Sequence, residues 1–334
     1  MGAARGGRLR AWAELLRAPL LLSPAADVLA GWSVAAGHAW TVQQALADTG
    51  PETLVQIQRA GVPALLLAAT TATCLLAAGM AQNAFVDRRD DAARKPDRPI
   101  PSGRIAPRAA FVAWVGLSVA GLLAGVAADL WKAALAIIIG TAAYHLVLKP
   151  LRGPACLMLG ALRGLSLFLG AWAFDEGPFL ALAPDGPVLV YRHATVAARP
   201  FVLLYAAYMA GASLHASTDD SRETSAWSRV GIATCLVTMI TAAVFALAGW
   251  SSAHGNFEAG GVVLIAAFGV FRLARAWRVL PPGPLTGVAL SGLFVLHALV
   301  CVGRGPPVFG WIAAGLVALL FLASRALRGG FPPT

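Results

Sequence analysis

Ten stretches of about 20 mostly apolar residues follow one another along the 334-residue chain. Each is long enough to cross a bilayer as a helix, and helices satisfy their own backbone hydrogen bonds in hydrocarbon. The stretches run approximately over 19–37, 61–86, 106–127, 130–149, 155–174, 198–217, 228–250, 259–277, 284–303 and 307–325. They predict an all-α fold, a polytopic transmembrane helical bundle. Because only 303–307 joins the last two stretches, nine or ten spans remain possible.

Composition supports this fold class and excludes others. Hydrophobic residues make up 58% of the chain and charged residues 13%, whereas a soluble domain carries roughly 25% charged residues. The formal charge is +10. If the N-terminus is inside, Lys and Arg favour the inner segments by roughly four to one, the positive-inside pattern. We therefore predict a multi-pass protein of the bacterial inner membrane, with cytoplasmic N-terminus and motif loops, and no nucleic-acid partner.

A cluster of polar residues, QNAFVDRRDDAARKPDRPIPSGRI, follows the second stretch at 82–105. Asn83, Asp87 and Asp91 are spaced four apart, which places them on one face of a helix. Two carboxylates and a carboxamide form an oxygen site that suits Mg²⁺. Cations that could neutralise a diphosphate follow at once: Arg94, Lys95 and Arg98. The alternative is a solvated loop whose charges only set topology.

Two further polar groups lie in or near the fourth and fifth stretches. Tyr144 and Lys149 close the fourth, where an interfacial tyrosine and a snorkelling lysine would also fit. Arg163 lies inside the fifth, with Ser166 three residues further on. An arginine within a span needs an anion, either a carboxylate or a substrate phosphate, so Arg163 and Ser166 are candidate diphosphate-binding residues.

A second acidic group follows the sixth stretch, in the segment 217–229. Asp219, Asp220 and Glu223 are spaced so that Glu223 shares a helical face with either aspartate. Two acidic groups at one membrane face could hold two Mg²⁺ ions around one diphosphate. The alternative is a short acidic inner loop.

Together these elements resemble the UbiA superfamily of intramembrane prenyltransferases over roughly 15–300. The first aspartate-rich motif is matched by Asn83, Asp87 and Asp91 with the run Arg98–Gly103, and the Y-x-x-x-x-K element by Tyr144 and Lys149. The segment Gly153–Gly170 is similar to the EboC-like branch. The stretch PDRPIPSG also resembles archaeal digeranylgeranylglyceryl phosphate synthases and chlorophyll synthases.

The resemblance implies one transmembrane domain over residues 1–334, a bundle around a central cavity. It implies Mg²⁺-dependent transfer of a prenyl group from a polyprenyl diphosphate to a lipid or aromatic acceptor. The residues it designates as metal ligands are Asn83, Asp87, Asp91, Asp219, Asp220 and Glu223. It assigns catalytic roles to Asp87 and Asp91, to Lys149 with Arg98 in neutralising the leaving group, and to Tyr144 in hydrogen bonding near it.

Two departures from the family pattern keep other functions open. Ala84 follows Asn83 where an Asn-Asp pair is usual, and the second motif is compressed to DDSRE. One alternative is a catalytically weak subunit or scaffold that acts with pathway partner proteins in biosynthesis or export. Another is a small-molecule transporter, although the sequence shows no clear inverted repeat and few polar residues at mid-membrane.

Overall fold

A computed structural model describes residues 2–45, 51–175, 194–218, 225–248 and 256–329, and within these ranges all regular structure is helical. The all-α prediction is confirmed. A 3₁₀ turn at Ala18–Leu22 precedes the second helix, and a π-helical turn at Tyr144–Leu148 follows the sixth. The α-helices are α1 (Gly2–Leu15), α2 (Ser23–Ala45), α3 (Pro51–Val86), α4 (Arg88–Arg94), α5 (Pro107–Ala127), α6 (Trp131–Ala143), α7 (Arg152–Asp175), α8 (Ala194–Ala216), α9 (Ala226–Ala248), α10 (Asn256–Val279), α11 (Pro282–Arg304) and α12 (Pro307–Gly329).

Ten helical segments of the described chain are long and apolar enough to cross a membrane. The last two are separate spans, Pro282–Arg304 and Pro307–Leu327, so the structure favours ten spans over nine. Extended backbone at Gly305 ends α11, and Pro307 begins α12. Large apolar side chains such as Val112 and Leu264 point outward, as expected for a multi-pass membrane protein whose outer surface contacts lipid.

The centre of the bundle is built around α2 and α11, the two most buried spans. Helices α2 and α7 approach each other backbone to backbone. A Cβ atom on Gly31 would lie 1.9 Å from the carbonyl oxygen of Leu167, and one on Gly170 would lie 1.9 Å from that of Val28. Small residues permit such close contact between membrane helices. The consequence is that polar side chains on α2 and α7 can meet deep in the bundle.

The N-terminal helix α1 covers the loop that joins α4 to α5. Ala11 and Leu15 of α1 pack in one apolar cluster with Ile100 and Ile105 of that loop. A salt bridge of 2.6 Å joins Arg104 Nη1 to a carboxylate oxygen of Glu14. The first-motif loop is therefore held against the bundle.

Candidate functional site

The first polar motif lies where α3 passes into α4. Helix α3 ends at Val86, and Asp87 stands between it and α4. Backbone hydrogen bonds nevertheless continue at i, i+4, from Asp87 N to Asn83 O and from Asp91 N to Asp87 O, each at 2.9 Å. The register that the sequence spacing predicted for Asn83, Asp87 and Asp91 is thus kept across the break.

Lys149 comes to this motif from another part of the chain. Its Nζ donates to Asn83 Oδ1 at 3.1 Å and forms an ion pair with Asp87. The π-helical turn places Lys149 beside the motif. In this turn, Lys149 N donates to the carbonyl oxygen of Tyr144, five residues earlier, at 2.9 Å. Such π-helical turns occur frequently at functional sites. The structure therefore brings together one Asp, one Asn and the lysine that the sequence analysis placed in separate clusters.

The other carboxylate of the motif is paired within its own loop. Arg98 Nη1 donates to both oxygens of Asp91 at 2.7 Å, and Asp91 is only 8% exposed. Each motif aspartate therefore has its own cation. Arg94 and Lys95, also predicted to bind diphosphate, are exposed at the end of α4, and the structure does not place them in this network. Their role stays a prediction.

Arg17, which the sequence analysis counted only among the inner positive charges, lies near this motif. It has a left-handed backbone, φ 50° and ψ 55°, at the start of the 3₁₀ turn. Burial and the neighbouring Arg98 guanidinium lower the pKa of Arg17, while Tyr144, Asp91 and Asp87 act in the opposite direction. Arg17 therefore lies within electrostatic reach of all four. The sequence signal for Arg17 was its position just before the first apolar stretch.

If the motif binds a polyprenyl diphosphate, as the resemblance implies, loss of the Arg17 side chain should weaken that binding about tenfold or more, the effect of one charge-assisted contact. Arg17→Gly removes the guanidinium and suits the left-handed backbone, whereas Arg17→Lys keeps a positive charge. Equilibrium binding of labelled farnesyl diphosphate measures both. The glycine variant should bind more weakly than the lysine variant, and wild-type affinity in Arg17→Gly would contradict a role in the site.

The donor chemistry of the motif fits Mg²⁺. Asn83, Asp87 and Asp91 offer only oxygen atoms, and Mg²⁺ is commonly held by one or two carboxylates with substrate phosphate and water completing its shell. Within the described ranges, no group of three or more His, Cys, Asp or Glu residues could hold a metal ion alone. A metal held by Asn83, Asp87 and Asp91 would take substrate phosphate or water as its remaining ligands. The predicted ligands Asp219, Asp220 and Glu223 lie outside the described residues.

Arg163, a predicted diphosphate-binding residue, pairs with a carboxylate in the structure. Arg163 Nη2 donates to Asp27 Oδ1 at 3.0 Å, where Asp27 is fully buried on α2. The close contact of α2 with α7 brings a carboxylate to Arg163. A carboxylate and a substrate phosphate were the two anions that the sequence analysis allowed as its partner. Ser166 is also buried on α7, and its Oγ has no hydrogen-bond partner among the described residues. Neither residue is seen in the Asp87–Asp91 network.

Asp27 and Arg163 belong to a buried cluster that joins four helices. Tyr205 on α8 donates to Asp27 Oδ1 at 2.5 Å, and His297 Nε2 on α11 lies 2.8 Å from the same oxygen. Asp27 is nine residues into the first span, about 14 Å along a helix and so near the middle of a 30 Å core. The cluster therefore adds Asp27, Tyr205 and His297 to Arg163 as polar residues within the spans. In the sequence, the signal for this cluster was Asp27, an acidic residue inside the first apolar stretch.

Comparison with known proteins agrees with this architecture. The model of the UbiA prenyltransferase family matches residues 30–328. A digeranylgeranylglyceryl phosphate synthase of Methanothrix thermoacetophila is 58% identical over 45 residues, 14% of this chain and 17% of that protein. A protoheme IX farnesyltransferase of Hyperthermus butylicus is 35% identical over 123 residues, 34% of this chain and 39% of that protein. The chain thus matches less than half of either relative's length.

A solved structure described as concerning digeranylgeranylglyceryl phosphate synthase in membranes has a TM-score of 0.54 to this chain. The identity is 13%, and the match covers 91% of this chain and 99% of that one, which shows a shared fold. The family match, by contrast, extends over most of the sequence and includes both the oxygen-rich motif and Lys149. The chain belongs to the UbiA prenyltransferase family.

Proposed function

We propose that this protein is an integral membrane prenyltransferase that moves a prenyl group from a polyprenyl diphosphate to a hydrophobic acceptor, lipid or aromatic, with Mg²⁺. One observation carries the proposal. Asn83, Asp87 and Asp91 stay in one helical register at the end of a span, and Lys149 and Arg98 contact their side chains. Oxygen ligands among fixed cations are the groups that a metal-bound diphosphate requires.

The residues would act mainly on the leaving group. Breaking the bond between C1 and the diphosphate oxygen leaves the electron pair on the diphosphate and positive charge on the prenyl carbon. Arg17, Arg98 and Lys149 would stabilise the growing negative charge, and Tyr144 would hydrogen-bond near it. Mg²⁺ held by Asn83, Asp87 and Asp91 would supply further charge neutralisation. Contact with the substrate requires Lys149 and Arg98 to turn from the aspartates toward phosphate oxygens.

The apolar helices would exclude water from the prenyl cation. The centre of the bundle is filled by large side chains, among them the fully buried Trp32, Tyr205 and Tyr208. A polyprenyl tail therefore has to move side chains or helices apart as it enters.

A second metal position is proposed at Asp219, Asp220 and Glu223. Support comes from the helix end before them. His215 near the end of α8 has Nδ1 2.8 Å from Ser228 Oγ and Nε2 3.2 Å from Pro282 O. These contacts tie the end of α8 to α9 and α11.

Further parts of the proposal concern the chain as a whole. We assign residues 1–334 to one domain of the EboC-like branch, based on the segment Gly153–Gly170. The excess of Lys and Arg in alternate loops supports a cytoplasmic N-terminus and cytoplasmic motif loops in a bacterial inner membrane. The catalytically weak scaffold with pathway partners is the second candidate, because the compressed DDSRE segment departs from the family pattern.

The decisive experiment measures diphosphate release. Purified protein in lipid nanodiscs is mixed with labelled geranylgeranyl or farnesyl diphosphate and a lipid extract. We expect release and a prenylated product with Mg²⁺, loss of both with EDTA, and recovery when excess Mg²⁺ is added. Binding of the diphosphate without release would favour the scaffold, and release unaffected by EDTA would contradict the metal proposal.

A further inference from the structure

Two arginines converge on one aromatic ring between α10 and α12. Phe321 and Arg325 lie on α12, and Arg272 lies on α10. The Cζ atom of Arg272 is 6.0 Å from the ring centroid of Phe321, and the Cζ atom of Arg325 is 5.9 Å from it. Arg272 Nη2 also donates to Ser291 Oγ on α11 at 2.5 Å. These contacts hold the guanidinium groups in place, but none of them supplies a negative charge.

From position 225 onward, the sequence offers this pair a single acidic residue. Glu258 is the sole Asp or Glu after position 224, and it lies in the first turn of α10. Fourteen residues separate it from Arg272, about 21 Å along the helix. No salt bridge involves Arg272 or Arg325 in the part of the chain that the structure describes. Among the described residues the pair therefore has no acidic partner.

The position in the membrane makes that charge costly. Arg272 is seven residues before the end of α10, about 10 Å inside the helix end, and it is half-buried. A cation within a span is expensive unless an anion reaches it. The pair lies toward the membrane face of the first motif, because Ser324 Oγ of α12 donates to Pro19 O beside Arg17 at 2.8 Å.

We propose that Arg272 and Arg325 bind the phosphate of an anionic membrane phospholipid where α10 and α12 pack on α11. Guanidinium groups recognise phosphate through paired hydrogen bonds, and basic pockets between membrane helices bind such headgroups. Exposed apolar side chains flank the pair and offer contact to acyl chains, among them Phe268, Phe271, Leu319 and Leu322. This apolar surface favours a lipid over a soluble phosphate.

Native mass spectrometry of the full chain in detergent tests the site with dioleoylphosphatidylglycerol as the probe. We expect wild-type protein to bind this lipid more tightly than phosphatidylcholine, whose headgroup carries no net charge. The double variant R272Q/R325Q should bind it about thirtyfold more weakly, from the typical contribution of each basic residue near anionic lipid. Arg278→Gln is the matched control, since Arg278 is exposed on the same helix, and the contribution of a single basic residue limits its effect to about fivefold.

Equal affinity of the wild type and R272Q/R325Q for phosphatidylglycerol would overturn the proposal. Displacement of the lipid by an equal concentration of inorganic phosphate or diphosphate would also overturn it, because the site would then be one for soluble anions. If R272Q/R325Q does not elute as folded protein, R272K/R325K keeps the charges and loses the paired geometry, and it should bind with intermediate affinity. Wild-type affinity in the lysine variant would show that paired hydrogen bonds from the guanidinium groups do not contribute to lipid binding.

Discussion

Replacing Asp91 with Asn is expected to lower Mg²⁺-dependent diphosphate release by about a thousandfold, the upper range for loss of one preorganised charge-stabilising group. Both oxygens of Asp91 accept from Arg98, and the proposal makes the same carboxylate a metal ligand. The amide keeps the size of the side chain but removes its charge, so metal binding and the orientation of Arg98 weaken together. Single-turnover release from labelled geranylgeranyl diphosphate measures the effect.

Asp90→Asn is the control for that experiment. Asp90 is adjacent in sequence and carries the same charge, but it is exposed and lies off the face shared by Asn83, Asp87 and Asp91. The control should stay within about threefold of wild type, as expected for a surface charge. Equal losses in the two variants would show that net charge of the loop, rather than a site at Asp91, controls the reaction.

The second large effect concerns stability. Arg163→Leu is expected to lower the free energy of unfolding by about 3–5 kcal/mol, the usual result of removing one partner from a buried ion pair. Asp27 then loses its cationic partner in the interior of the bundle and, among the described residues, keeps its contacts with Tyr205 and His297. Unfolding in mixed micelles of increasing SDS content measures the free energy for each variant.

Two comparisons make this result interpretable. Ser33→Ala alters another buried polar residue of α2, whose hydroxyl donates to Leu29 O of its own helix at 2.7 Å, and should cost about 1 kcal/mol or less. The double variant D27N/R163L removes both charges and should recover part of the stability that Arg163→Leu loses. If Arg163→Leu unfolds like wild type, the ion pair does not contribute to the stability of the bundle.

Sequence alone was sufficient for the spans and for the register of the first motif. Both depend on near neighbours, since hydropathy over about 20 residues identifies a membrane helix and i, i+4 spacing identifies a shared helical face. The break at Asp87 did not change that register because its backbone hydrogen bonds continue. The fold class followed from the same local properties.

Tertiary structure alone decided which charges meet. Arg163 and Asp27 are 136 residues apart, and Lys149 and Asp87 are 62 apart, so no local pattern links them. The backbone contact of α2 with α7 gives Arg163 a carboxylate inside the bundle, and the π-helical turn carries Lys149 to the motif. A buried arginine requires an anion whichever helix provides it, and helix packing determines the provider.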